Sequence, residues 1–140
     1  MLSPRRVDGL ALFGDSISEG STTTLDANRG VSDVLSRWFN PPIGPGRLAV
    51  LNQSSGCGRL LFDVCGPNGL SRFDREVLNV PGVNQVLIEL GYGDIIFPTA
   101  FGVPEEIVSA DQIIAGLKQL VRRARLGGLR VYGATIPPNA

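Results

Sequence analysis

A serine that attacks an ester needs an accessible hydroxyl, a base for its proton and donors for the oxygen that becomes charged. Gly14-Asp15-Ser16 is where this sequence offers the first of these. The triplet directly follows an apolar run over residues 7–13. A glycine-led turn at the end of a buried strand would point the Ser16 hydroxyl out of a sheet, although Gly, Asp and Ser also make plain turns. Asp15 and Asp94 each follow a glycine. An ordinary carboxylate titrates near 4 and is a poor match for a serine hydroxyl, so both are read as loop-positioning hydrogen-bond acceptors. The chain has no histidine, which removes the commonest general base and the commonest metal ligand. Cys57 and Cys65 are too few for a zinc site and are read as two reduced thiols, with a disulfide closing the 57–65 loop as the alternative. Glu105-Glu106 is read as an exposed acidic pair ahead of a helix. Gly56-Cys57-Gly58 lacks the third glycine of a dinucleotide-binding turn, because residue 61 is Leu, and no phosphate loop is present. No cofactor and no metal are expected.

The surrounding pattern supplies elements to carry these residues. Val31, Val34, Leu35 and Trp38 share one helical face, stopped by Asn40-Pro41-Pro42. Residues 48–51 read as a second strand, 53–69 as an irregular glycine-bearing segment and 71–78 as a short helix. Residues 83–90 read as a third strand, apolar on successive residues as burial on both faces requires. The clearest helix begins at Ser109. Ser109 and Gln112 have capping-box spacing, Val108 and Ile113 can staple its start, and Gly127-Gly128 ends it. Its apolar stripe is Ala110, Ile113, Ile114, Leu117, Leu120, Val121 and Ala124, and Lys118, Arg122, Arg123 and Arg125 read as a solvated face. Residues 129–136 form a fourth strand, stopped by Pro137-Pro138. Alternating strands and helices predict an α/β domain: three layers, α/β/α, around a parallel sheet. Ligands of such sheets bind at the carboxyl ends of the strands, which singles out 14–19, 52–58, 91–95 and 135–138.

Length and charge narrow the function classes. A chain of 140 residues is a single domain. Thirteen basic residues balance thirteen acidic ones, so the charge excess that nucleic acid or an anionic membrane would attract is missing. No apolar run approaches the roughly 18 residues of a membrane span, and the start carries no apolar stretch of signal-peptide length. The chain is therefore read as cytoplasmic, with no nucleic-acid or membrane partner.

Phe13-Gly14-Asp15-Ser16-Ile17-Ser18 resembles the first block of the SGNH, or GDSL, hydrolases, a family of serine esterases and lipases with a flavodoxin-like sheet. The similarity continues through Asp26-Ala27-Asn28-Arg29, Val50-Leu51-Asn52, Arg59-Leu60-Leu61 and Gly66-Pro67-Asn68. It runs on through Arg72-Phe73-Asp74-Arg75-Glu76-Val77-Leu78, Leu90-Gly91-Tyr92-Gly93-Asp94-Ile95 and Gly133-Ala134-Thr135-Ile136. Several blocks in order are more specific than any one, and they are similar to the arylesterase-like branch. The resemblance implies a small ester substrate, Ser16 as nucleophile, and an oxyanion hole. That hole comprises the Ser16 amide, the amide of a second-block glycine whose place Cys57 takes, and an asparagine side chain whose place Gly93 takes.

The chain departs from the family at every one of these places except the serine. Cys57 would be strained if the family glycine has positive φ, Gly93 has no side chain to donate, and the Asp-x-x-His block is missing. The resemblance therefore implies an ester hydrolase that is weak or inactive as this chain. The alternatives are a non-catalytic ester- or carbohydrate-binding pseudoenzyme, or a fragment with no independent function. A sheet of about four strands, lacking the family's last strand and helix, would leave an apolar edge. That edge predicts homodimers or poor solubility.

Overall fold

The computed structural model describes residues 8–44 and 47–136. The strand start expected at Val7 and the stop at Pro137-Pro138 lie outside the described residues. The most apolar stretches take the middle of the sheet. Strand β1 (Asp8–Gly14) is buried from its second residue onward, and β3 (Val83–Glu89) pairs with it in parallel. β2 (Leu48–Asn52) adds on the far side of β1, and β4 (Arg130–Gly133) on the far side of β3, giving a parallel order β2-β1-β3-β4. Gly14 lies opposite Glu89, and Leu12 opposite Asn52. The ends of three strands, and the loops that follow them, therefore meet at one rim.

Helices cover both faces. Ala11, Phe13, Val86 and Ile88 pack with Leu60, Phe73 and Val77 and with Ile113, Leu120 and Ala124 of helix α5 (Ala110–Leu126). The Phe13 and Phe73 rings meet edge to face at 5.1 Å. On the opposite face, α2 (Val31–Phe39) sets Leu35 and Phe39 beside Leu10, Leu48 and Leu87, around an open cleft of about 620 Å³. Helix α5 starts as its capping box predicts. The Ser109 hydroxyl accepts from the Gln112 amide, and the Gln112 side chain accepts from the Ser109 amide.

Several expectations need correction. The short helix starts at Gly69, two residues early, because Asn68 caps it by accepting from the Ser71 amide. After α3 (Gly69–Phe73) the helix widens into a π turn, Asp74–Leu78. A helix that the sequence did not announce, α4 (Tyr92–Ala100), follows β3. Gly93 and Pro98 look like helix breakers, yet the left-handed Gly91 (φ 118°) turns the chain into the helix. The last strand is shorter than the expected 129–136. Arg123 is not a solvated charge: it donates to the Leu70 carbonyl, pairs with Asp74 and lies over the Phe73 ring. The α5 stripe is also wider than the sheet covers, since Ile114 is exposed and Leu117 and Val121 are half-buried.

Candidate active site

Ser16 is the first residue of a single helical turn, α1 (Ser16–Glu19), set directly on the end of β1. Gly14 is required there by close approach. A Cβ at that position would stand 2.6 Å from the Ser18 hydroxyl and 2.8 Å from the Glu89 carbonyl. Asp15 caps the turn by accepting from the Ile17 amide at 2.9 Å, and the left-handed Gly20 (φ 97°) ends it. Ser16 itself is half-buried at the rim, while Ser18 is buried and donates to the Glu89 carboxylate. Among the described residues, neither the Ser16 hydroxyl nor its amide is engaged in a hydrogen bond.

Asp15 departs from the ordinary carboxylate the sequence suggested. It is only 2% exposed, and its Oδ2 has no partner among the described residues. Burial pushes its pKa up from 3.8 to about 6. The Ile17 amide opposes that shift, and the Glu89 charge adds to it.

The second segment crosses this turn from β2. The Gln53 amide and the Ser54 hydroxyl donate to the Leu12 carbonyl, and the Ser55 amide donates to the Gly14 carbonyl at 3.2 Å. Gly58 closes on Ser55 and approaches Asp15 so nearly that a Cβ would lie 3.2 Å from the Asp15 Cα. Between them Cys57 has φ 57°, a left-handed conformation that costs a non-glycine residue about 1–2 kcal/mol. The reduced-thiol reading is overturned here: Cys57 is joined to Cys65 in a disulfide. Counting cysteines could not reveal this, because the fold of the intervening loop is what brings the two Cα atoms to 5.7 Å. The Cys57 amide makes no hydrogen bond among the described residues.

The third segment is the start of α4. Gly93 lies against the second: a Cβ there would meet the Gly58 carbonyl at 2.8 Å, Arg59 Cγ at 3.1 Å and the Phe97 ring at 3.2 Å. Gly93 is thus a packing glycine in this chain, and an asparagine would not fit without shifting backbone. Asp94 is buried and accepts from the Leu60 amide at 2.6 Å and the Leu61 amide at 2.9 Å. Burial raises its pKa against those two amides and the Arg59 charge.

Sequence reasoning missed the two arginines that hold these loops. Arg59 is buried, lies 3.8 Å from Asp94 and pairs with Glu106. Glu106 is therefore a half-buried counter-ion rather than an exposed acid. Arg72 donates to the Gly14 carbonyl at 2.8 Å and the Gln53 carbonyl at 2.7 Å, pairs with Glu76 and stacks over Phe13 at 4.1 Å. It therefore ties the Ser16 and Cys57 segments together from below. Their signal in the sequence was an arginine set against apolar residues in 59–62 and in 70–73, each arginine within a block that carries the family resemblance.

The structure thus brings the segments of Ser16, Asp15, Cys57, Gly93 and Asp94 to one rim. Clefts among the described residues lie on the sheet faces, along α5 and beside Leu61. Ser16 is half-buried at this rim. Among the described residues no cluster of three or more His, Cys, Asp or Glu could hold a metal, and no helix is long and apolar enough to cross a membrane.

No protein-family model matches the sequence, and no curated protein does. Solved structures do match. The crystal structure of TesA superposes with a TM-score of 0.67 at 23% identity, over 94% of this chain and 63% of that one. AlinE4, an SGNH-hydrolase family esterase, superposes at 0.71 with 16% identity, over 97% of this chain and 64% of its own. The chain spans less than two thirds of either neighbour's length. At these identities the likeness is one of fold: the chain has the parallel α/β fold of the SGNH hydrolases.

Proposed function

We propose that the chain is an SGNH/GDSL-type ester hydrolase, with Ser16 as nucleophile, that works weakly or not at all as this polypeptide. The observation that carries the reading is the convergence at Ser16. A serine hydroxyl without a hydrogen bond among the described residues sits at the carboxyl rim of the sheet, on a turn that the Cys57 segment crosses, and the Ser16 and Cys57 amides are likewise unengaged among those residues. In this reading the Ser16 oxygen attacks the carbonyl carbon of a small ester, and those two amides donate to the oxygen that becomes negative. The chain has no imidazole to take the serine proton. Asp15, near 6, is a closer match than an ordinary carboxylate. Loss of a triad base leaves about 10³–10⁴ over water, and loss of an oxyanion donor, here the side chain that Gly93 lacks, costs about a further 10²–10³.

A fluorophosphonate probe and a short-chain aryl ester test this. Slow modification at Ser16, absent in Ser16→Ala, and ester turnover far below that of a complete triad are expected. Modification elsewhere with Ser16 untouched, or fast steady turnover, would falsify the reading. Packing at Gly93 favours one second reading, an ester- or carbohydrate-binding module without chemistry, because that glycine is locked where the family places a donor. Saturable binding of an ester with no Ser16 reactivity would select it.

A further inference from the structure

We infer that the Cys57–Cys65 disulfide is a reducible clasp that holds Cys57 in its left-handed conformation against the Ser16 turn, making Cys65 a positioning residue for the Cys57 amide. The part about reactivity rests on the reading of Ser16 as nucleophile; the part about the loop does not.

The two ends of the clasp differ. Cys65 lies in a segment anchored on both sides. Before it, the Leu60 and Leu61 amides are held by Asp94; after it, the Gly69 and Leu70 amides donate to the carbonyls of Arg59 and Leu60. Asn68 also grips Asp63 through both its amide and its side chain. Cys57 lies in a segment with little to hold it. Among the described residues, only the Ser55 amide on Gly14 and the Gly58 amide on Ser55 fix residues 55–58 by backbone hydrogen bonds. A non-glycine residue at φ 57° pulls this segment toward extended conformations. The disulfide joins the end with fewer hydrogen bonds to the anchored one. Cys65 is exposed and Cys57 half-buried, so a reductant reaches Cys65 first.

The redox step is a dithiol–disulfide exchange. A thiolate of a small dithiol attacks Sγ of Cys65, the S–S bond breaks and Cys57 leaves as thiolate. The second thiol of the reductant then attacks the mixed disulfide. The reductant ends as a cyclic disulfide and the chain as two protonated thiols, two electrons and two protons having passed to it. Released from its partner, Cys57 relaxes toward negative φ and its amide leaves the Ser16 rim.

Hydrogen exchange and fluorophosphonate labelling, each on the oxidised chain and after reduction with a dithiol then removed under inert gas, test the two halves. On reduction, exchange should accelerate at Ser55 and Gly58, while Leu60 and Leu61, held by Asp94, stay unchanged. Ser16 labelling should fall about tenfold and return on reoxidation. Cys65→Ser should behave as the reduced chain under both conditions. Cys57→Gly combined with Cys65→Ser should recover the labelling, because glycine takes the left-handed conformation without the clasp. Unchanged exchange at Ser55 and Gly58 overturns the inference whatever Ser16 does. Altered exchange with equal labelling overturns the positioning role. No Ser16 labelling in any state removes the nucleophile reading and the positioning role with it, and the clasp is then decided by exchange alone.

Discussion

Replacing Asp15 by Asn should stabilise this protein at neutral pH, and the size of the gain should depend on pH. Folding raises the Asp15 pKa from 3.8 to about 6, chiefly by burial. Below pH 4 the carboxyl is neutral in both folded and unfolded chains, and no cost arises. Between pH 4 and 6 the folded state binds the proton that the unfolded state has released, so stability falls as pH rises. Above 6 the folded protein carries a buried charge with one unpartnered oxygen, and the loss reaches about 3 kcal/mol at most. Asparagine is neutral throughout, and its side-chain oxygen still accepts from the Ile17 amide as a cap of equal quality. Asp94, also raised, and Glu76, lowered because Arg75 and Arg72 outweigh its burial, are present in both proteins and cancel in the difference. Urea unfolding of wild type and Asp15→Asn from pH 4 to 7.5 should give matching stabilities at the acid end and a variant more stable by up to about 3 kcal/mol at the other. A difference that stays flat with pH, or a variant weaker at pH 7, would refute the assignment of the buried charge to Asp15.

Asp94→Ala strips the acceptor from the Leu60 and Leu61 amides and leaves the buried Arg59 with Glu106 alone. It should cost about 3–5 kcal/mol in urea unfolding, and a loss under about 1 kcal/mol would show the network to be dispensable. We also propose that copies of the chain associate through the β4 edge, beside the uncovered Ile114, Leu117 and Val121 of α5. Sedimentation should show dimers growing with concentration while Trp38, exposed on α2, stays open to iodide quenching. A monomer at every concentration, or a Trp38 shielded on association, would rule that edge out.

What was legible in the sequence is what local pattern encodes. The strands β1 and β3 announce themselves by consecutive apolar residues, α5 by Ser109 and Gln112, and Ser16 by a glycine-led turn after a strand. Helix α4 was not legible, because its start depends on a left-handed Gly91 and on contacts that Asp94 makes with residues more than 30 positions away. The disulfide and the raised Asp15 pKa were hidden for the same reason: proximity and burial come from tertiary packing. The buried arginines are the sharpest case. Composition marks arginine as a surface residue, and only the folded chain shows Arg72 donating to carbonyls of two separate loops.

That distribution decides which features of the rim the fold itself requires. Arg72, Asp94 and Gly14 serve stability first. Removing any of them leaves buried polar groups unpaired or forces atoms to overlap, so folding alone preserves the turn and its neighbours. The Ser16 hydroxyl has no such second duty, since nothing among the described residues bonds to it. A proton acceptor added to or taken from an exposed position of the rim would likewise leave the fold nearly unchanged, because such positions, where free of those contacts, alter stability by only about 0.5 kcal/mol. The rim's shape therefore follows from the fold, and the reactivity of the serine oxygen is what tests the proposed function. The two separate experimentally in Ser16→Ala, which should unfold at the wild-type urea concentration while losing every trace of modification at that position.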